Sequence, residues 1–249
     1  MSRQARTPVV LPPRKVVPFP DPSAFDADGL LAVGGDLCPE RLLLAYRSGV
    51  FPWYAEGYVP MWWSPDPRAV LDPAHLHTSR SLGRRLRRGG FSLTWNRCFS
   101  RVMAACGERR HGGTWIIPEM AVAYRALHEL GHAHSLEVWH GEDLVGGIYG
   151  VQVGAAFAAE SMFHRATDMS KVALVALVHS LFTAGIELFD VQFVTPHLRT
   201  LGAFSIPRRE YLRRLGVAAS RVVDLRRLPL TIERTAASGG EKPSPVADV

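Results

Sequence analysis

Residues 135–160, SLEVWHGEDLVGGIYGVQVGAAFAAE, decide how this chain folds. Residues 136–139 form the β-prone string Leu-Glu-Val-Trp, and Gly141-Glu-Asp143 supplies a turn. Residues 144–151 and 155–160 then read as two further strands. Ser170 is placed to cap a long apolar helix over residues 171–184, which Gly185 terminates. Residues 188–192, Leu-Phe-Asp-Val-Gln, read as a buried strand, and residues 196–201 as one helical turn before Gly202. Three strands, a helix, a strand and a short helix make an α+β order.

Upstream the pattern changes. Twelve of the 18 prolines precede residue 74, so the first third is loop-rich with short elements, because proline fixes φ and removes a donor. A short helix is expected over residues 39–48 and a basic one over residues 79–88. An amphipathic helix over residues 119–130 carries Met120, Ala123, Ala126, Leu127 and Leu130 at helical spacing. The expected organisation is a flexible arm (1–17), a small loop-rich N-terminal domain (18–70), a C-terminal domain (71–235) whose sheet begins near residue 135, and a flexible tail (236–249).

Of 249 residues, 47% are hydrophobic and 21% charged, which supports a sizeable core and excludes collagenous, disordered and disulfide-rich classes. Cys38, Cys98 and Cys106 are too scattered for a disulfide framework or a zinc site. They read as reduced thiols. No apolar leader opens the sequence and no apolar run spans a bilayer, so a cytoplasmic protein without membrane contact is expected. The net charge of +6 rests on 29 basic residues of which three are lysine and 26 arginine. Guanidinium groups donate in pairs to phosphate, so a phosphate-bearing partner accounts for the excess, as a GC-rich genome also does.

Standard catalytic schemes find little support. His128, His132 and His134 cluster at a helix end and read as cap and surface residues, so no metal is expected. No G-x-x-x-x-G-K-[ST] or G-x-S-x-G occurs, and Gly146, Gly147, Gly150 and Gly154 fall within strands instead of a strand-to-helix turn. More informative are Glu160, Asp190 and Gln192, polar residues at the ends of apolar strands. Strand alternation puts Asp190 and Gln192 on one side, where they are site residues, or else Asp190 caps the next turn and Gln192 is an ordinary exposed amide. Trp53, Trp62, Trp63 and Trp115 lie in loop-like segments, free to stack a base or to anchor a loop-rich domain. Arg80, Arg84, Arg85, Arg87 and Arg88 crowd one short helix; 80, 84, 87 and 88 share a face without acidic partners, a phosphate-binding or a solvated surface.

Several strings together resemble one family. They include Gly34-Gly-Asp-Leu37, Gly49-Val-Phe-Pro-Trp53, Trp62-Trp-Ser-Pro-Asp-Pro-Arg-Ala-Val-Leu71 and His128-Glu-Leu-Gly-His-Ala-His-Ser-Leu-Glu-Val-Trp139. Leu144-Val-Gly-Gly-Ile-Tyr-Gly150, Glu160-Ser-Met-Phe163, Phe189-Asp-Val-Gln192 and Ile206-Pro-Arg-Arg209 complete them. From about Phe19 to Leu215 the chain resembles the leucyl/phenylalanyl-tRNA–protein transferases. The resemblance implies an aminoacyltransferase that moves Leu or Phe, less readily Met, from Leu-tRNA or Phe-tRNA to a protein's N-terminal Arg or Lys, marking that protein for degradation. It implies a C-terminal domain like the acetyltransferases that use coenzyme A, here with no cofactor and acting as a monomer.

By the same resemblance, Gln192 accepts a hydrogen bond from the attacking amine, Asp190 orients Gln192, and Glu160 is the counter-charge for the acceptor's basic residue. Ile148, Phe157, Met162 and Leu174 form the aminoacyl pocket, Trp53 and Trp115 stack on the adenosine and aminoacyl groups, and the arginine helix holds the acceptor stem. Two other readings stay open at this point. One is a coenzyme A-dependent acetyltransferase, for which residues 166–170, Ala-Thr-Asp-Met-Ser, lack a Gly-rich pyrophosphate loop; the other is a non-catalytic tRNA-binding protein.

Overall fold

The structure, a computed structural model, describes residues 7–108 and 114–231. Its first part has short elements, as the proline density requires. Strand β1 (Val9–Leu11) is followed by a single 3-10 turn at Pro22–Ala24, β2 (Leu30–Gly34), helix α1 (Pro39–Arg47), β3 (Phe51–Pro52) and β4 (Met61–Trp63). These strands form a small sheet in the order β1-β2-β4-β3. The arm expected over residues 1–17 is ordered from β1 onward: Val9–Leu11 pairs in parallel with Ala32, Val33 and Gly34. Buried Arg41 donates to the carbonyls of Pro12 and Lys15, tying the segment down. Those partners lie 26 to 29 residues away, beyond the reach of composition.

The remaining elements are β5 (Arg68–Leu71), α2 (Arg80–Arg88), β6 (Ser92–Trp95), α3 (Phe99–Gly107), α4 (Pro118–Glu129), β7 (Ala133–His140), β8 (Asp143–Val153) and β9 (Ala156–His164). Then come α5 (Met169–Thr183), β10 (Leu188–Gln192), α6 (Pro196–Thr200), β11 (Phe204–Ile206) and α7 (Arg208–Ala219). Seven strands form one sheet, β11-β5-β10-β9-β8-β7-β6, in which only the β9–β10 neighbours run parallel, joined by the α5 crossover. The α+β reading therefore holds. The strands expected from residue 135 on are the centre of this sheet. Strands β5, β6 and β11, of three or four residues each, add to its flanks and are too short to show a period.

One capping expectation is corrected. Asp168, in the left-handed region at φ 67°, precedes α5, and Ser170 lies inside its first turn with its hydroxyl 3.3 Å from His164 Nδ1. Helix α5 is apolar throughout residues 172–178 because all seven are buried. It shares one face of the sheet with α2, packing on Leu136, Val138, Ile148 and Phe157. Helices α1, α3, α4 and α7 cover the other face, where Tyr149, Val151 and Phe163 point.

Two irregularities shape the middle of the sheet. In β8–β9, Tyr149 faces Ser161 while Gly150 faces Ala159, so Glu160 is an extra residue. In β10–β5, Asp190 faces Val70 and Gln192 faces Ala69, so Val191 is extra. Such bulges re-aim side chains and bend their strand. The parallel pairing of β9 with β10 covers Ala156–Ala158 against Leu188–Asp190 and ends there, so the two strands part where Glu160 and Gln192 stand. Gly150 permits the first bulge: a Cβ there would collide with the Ala158 carbonyl and the Phe157 ring. Gly150→Ala is expected to cost about 1–3 kcal/mol, as overpacking of a dense core does. Thermal unfolding would show it as a Tm lower by several degrees.

Candidate active site

A cavity of about 260 Å³ opens where β9 and β10 separate. Its walls are apolar. Ile148 of β8, Met162 of β9 and Leu174 of α5 form one side, and Trp53, Trp115 and Phe193 the other. Glu160 and Gln192 bring the polar groups. Seven of the residues picked out from the sequence thus meet across a span of 140 positions: Trp53, Trp115, Ile148, Glu160, Met162, Leu174 and Gln192. Phe157 does not join them. It is fully buried behind the cavity, stacked on Phe189 at 5.8 Å between ring centroids.

Asp190 does not line the cavity either, because the bulge at Val191 breaks the alternation that would have set it beside Gln192. It lies beneath, with both carboxylate oxygens occupied. Oδ1 accepts from Arg68 Nε and from the Gln192 backbone N–H, each at 2.9 Å. Oδ2 accepts from Arg68 Nη2 at 2.6 Å and from the Tyr211 hydroxyl at 2.9 Å. Arg68 is itself buried between the Phe51 and Tyr211 rings and donates to the Gly49 carbonyl. Asp190 therefore meets Gln192 through the backbone, holding it in a left-handed conformation at φ 55°.

The Gln192 side chain points the other way. Its Nε2 donates to Glu160 Oε1 at 3.3 Å, which leaves the amide oxygen as its acceptor. Glu160 Oε2 accepts from the Tyr124 hydroxyl at 3.3 Å, and Tyr124 is bonded to the Tyr46 hydroxyl at 2.6 Å. Tyr149 packs edge-on against Tyr124, its buried hydroxyl without a partner among the described residues.

Outside the cavity, Arg80, Arg84, Arg87 and Arg88 of α2 are exposed on one face, as the spacing predicts. Arg85 turns away and lies 3.2 Å from His140 Nε2. Leu82 and Leu86 fix the helix to the core, and the Ser79 hydroxyl caps it. Of the histidines, His128 lies against the Ala133 carbonyl and stacks on Phe99, and His134 lies between Asn96 and Gln152.

The family described as "Leucyl/phenylalanyl-tRNA protein transferase" matches residues 70–216, and its N-terminal domain matches residues 35–66. The chain belongs to this family. A leucyl/phenylalanyl-tRNA–protein transferase of Anaeromyxobacter sp. (strain Fw109-5) is 55% identical over 212 residues, 84% of this chain and 90% of that one. Those of Syntrophobacter fumaroxidans (strain DSM 10017 / MPOB) and Shewanella baltica (strain OS155 / ATCC BAA-1091) are 53% and 48% identical, covering 82% and 83% of this chain and 89% and 88% of theirs. Among solved structures, "The structure of L-PGS from Bacillus licheniformis" aligns over 68% of this chain and 57% of its own at 13% identity, with a TM-score of 0.37.

In this transferase-family chain the sequence leaves four site residues unassigned: Arg68, Tyr211, Tyr46 and Tyr124. Arg68 closes the Pro-bounded string Trp62-Trp-Ser-Pro-Asp-Pro and is a visible candidate there. The tyrosines sit among apolar neighbours on α7, α1 and α4 and carry no signal beyond burial.

Burial pushes the Glu160 carboxyl up to about 8, against the Tyr46 and Tyr124 hydroxyls, which favour its charged form, while nearby Asp190 raises it further. Unfolded, the carboxyl loses its proton near 4.5; folded, it keeps it to about 8, so this group makes the fold less stable as pH rises between those values. The Glu160→Gln variant lacks that slope. Urea unfolding from pH 5 to pH 8.5 should show the variant gaining on the wild-type chain as pH rises; a difference that stays constant would mean an ordinary carboxyl.

Proposed function

We propose that this chain transfers Leu or Phe, and less readily Met, from its tRNA to the N-terminal Arg or Lys of acceptor proteins, which marks them for degradation. The observation that carries this is the cavity: an apolar chamber for one side chain, closed on its polar side by Glu160 and Gln192. Its Ser161 has no histidine or carboxylate hydrogen-bonded to it among the described residues, so the wall holds no activated nucleophile. An aminoacyl ester needs none. It is already activated, and turning it into an amide is downhill without ATP. What the reaction needs is an amine brought to the ester carbonyl in the right orientation.

Ile148, Met162 and Leu174 would hold the Leu or Phe side chain. A missing methylene forfeits only about 1–3 kcal/mol in such a pocket, while a β-branched side chain is also rejected by collision. Trp53, 46% exposed at the rim, and Trp115 offer faces to the aminoacyl group and the terminal adenosine. Glu160 would face the N-terminal residue of the acceptor, and the Gln192 amide oxygen accepts from the amine. The exposed face of α2 would hold the acceptor stem through phosphates, which positions the tRNA without reading its sequence.

The direct test mixes purified protein with labelled Phe-tRNA and a protein beginning with Arg, without ATP or coenzyme A. Transfer of label is expected, and its absence would overturn the reading. Arg84→Ala or Arg87→Ala should weaken tRNA binding and flatten the dependence of log affinity on log salt by about 0.7–0.9 for each phosphate no longer neutralised. An unchanged slope returns α2 to an ordinary solvated face.

A further inference from the structure

If the chain transfers an aminoacyl group as proposed, some group must take the proton of the incoming α-ammonium, since only the neutral amine attacks a carbonyl. Asp190 is not available. Its two oxygens already accept four hydrogen bonds, from Arg68 twice, Tyr211 and the Gln192 backbone, and it lies below the cavity floor. Gln192 can accept a hydrogen bond but an amide does not hold a proton at neutral pH. Buried Tyr46, Tyr124 and Tyr149 are pushed far above the usual tyrosine range, chiefly by burial, so none is a phenolate.

Glu160 remains. It faces the cavity because it is the extra residue of the β9 bulge, so its carboxyl stands beside the Gln192 amide. We infer that Glu160 is the proton acceptor for the attacking amine and that Tyr124, backed by Tyr46, is the positioning residue that holds its carboxyl. The ammonium N–H bond breaks and a Glu160 O–H forms; the neutral amine adds to the ester carbonyl, making the C–N bond. The C–O bond to the ribose then breaks, the ribose oxygen leaves with the second amine proton as a hydroxyl, and Glu160 returns its proton to solvent.

The match of acidities supports this. A carboxyl of ordinary acidity, near 4.3, would leave an α-amine of pKa about 8 protonated by more than three orders of magnitude. One at about 8 shares the proton nearly evenly. The groups around it are Tyr46 of α1, Tyr124 of α4, Tyr149 of β8, and the Asp190–Arg68 pair of β10 and β5. The tyrosine hydroxyls and Arg68 favour the charged carboxylate; burial and Asp190 oppose it.

The test is the single-turnover rate of transfer from Phe-tRNA to a short peptide beginning with Arg, measured from pH 6 to pH 9.5. Glu160→Gln should lower the rate at pH 7 by about 100-fold or more. The peptide's KM should stay within a few-fold, and the deficit should narrow toward pH 9.5 as solution supplies neutral amine. Tyr124→Phe removes a donor to the ionised carboxylate and should move the acid limb up by half a unit or more. A Glu160→Gln variant with wild-type maximal rate and a raised KM would overturn the inference, leaving Glu160 a counter-charge. An unmoved Tyr124→Phe profile would overturn the positioning role, and it decides alone should Glu160→Gln fail to melt cooperatively or to bind tRNA. Failure of the underlying reading looks different: the wild-type chain then transfers nothing at any pH.

Discussion

The bidentate contact between Arg68 and Asp190 is the constraint on which the centre of the structure depends. Both side chains are almost completely out of water, and each oxygen of the carboxylate takes a second donor. Removing one partner of such a buried pair typically costs about 3–5 kcal/mol, because the other charge is left uncompensated. A hydrophobic pair of equal volume could supply comparable stability, so stability alone does not explain it. Geometry does. Through Arg68 the pair reaches the Gly49 carbonyl and the Phe51 ring, through Asp190 the Tyr211 hydroxyl, and the same carboxylate holds the backbone N–H of Gln192. One ion pair thereby fixes how the small sheet, the large sheet and α7 meet beside the cavity.

That fixing matters because the neighbouring backbone is held away from its preferred state. Gln192 has φ 55°, a region that costs a non-glycine residue about 1–3 kcal/mol and persists only where surroundings over-determine it. The Asp190 carboxylate is the determinant. On the adjoining strand the bulge at Glu160 brings a carboxyl among three tyrosine rings, which lowers stability as pH rises from about 4.5 to about 8. Both departures sit at the same place, where the only parallel pair of the large sheet comes apart. A regular sheet would close that gap with ladder hydrogen bonds and leave no chamber.

Much of the fold is legible because periodicity is local. The strand–turn–strand–strand–helix–strand run from residue 135 is written in alternation, in Gly141-Glu-Asp143 and in the apolar block of α5, and each is found in place to within a few residues. The basic face of α2 is equally plain from spacing. What escapes is short or long-range. Strands β5, β6 and β11 have too few residues to show a period, and β1 is held by Arg41 from another element. Phe157, named through the resemblance, lies on the same face of the sheet as Ile148 and Leu174 but stacks on Phe189 and does not line the cavity.

The sequence by itself determined the α+β class and, through resemblance, the family and the residues Trp53, Trp115, Ile148, Met162 and Leu174 that gather at the cavity, while it set Asp190 and not Glu160 beside Gln192. The class was legible because residue type and spacing act through local chain geometry and burial; the site residues came through the family strings. Only the tertiary structure decided which carboxylate faces the cavity. Asp190 and Glu160 are alike in sequence context, each an acid ending an apolar strand. Their difference comes from Arg68 and Tyr211, 122 and 21 positions from Asp190, and from two one-residue bulges that no period in the sequence encodes. Contacts of that range and shifts of that size exist only once the strands are paired.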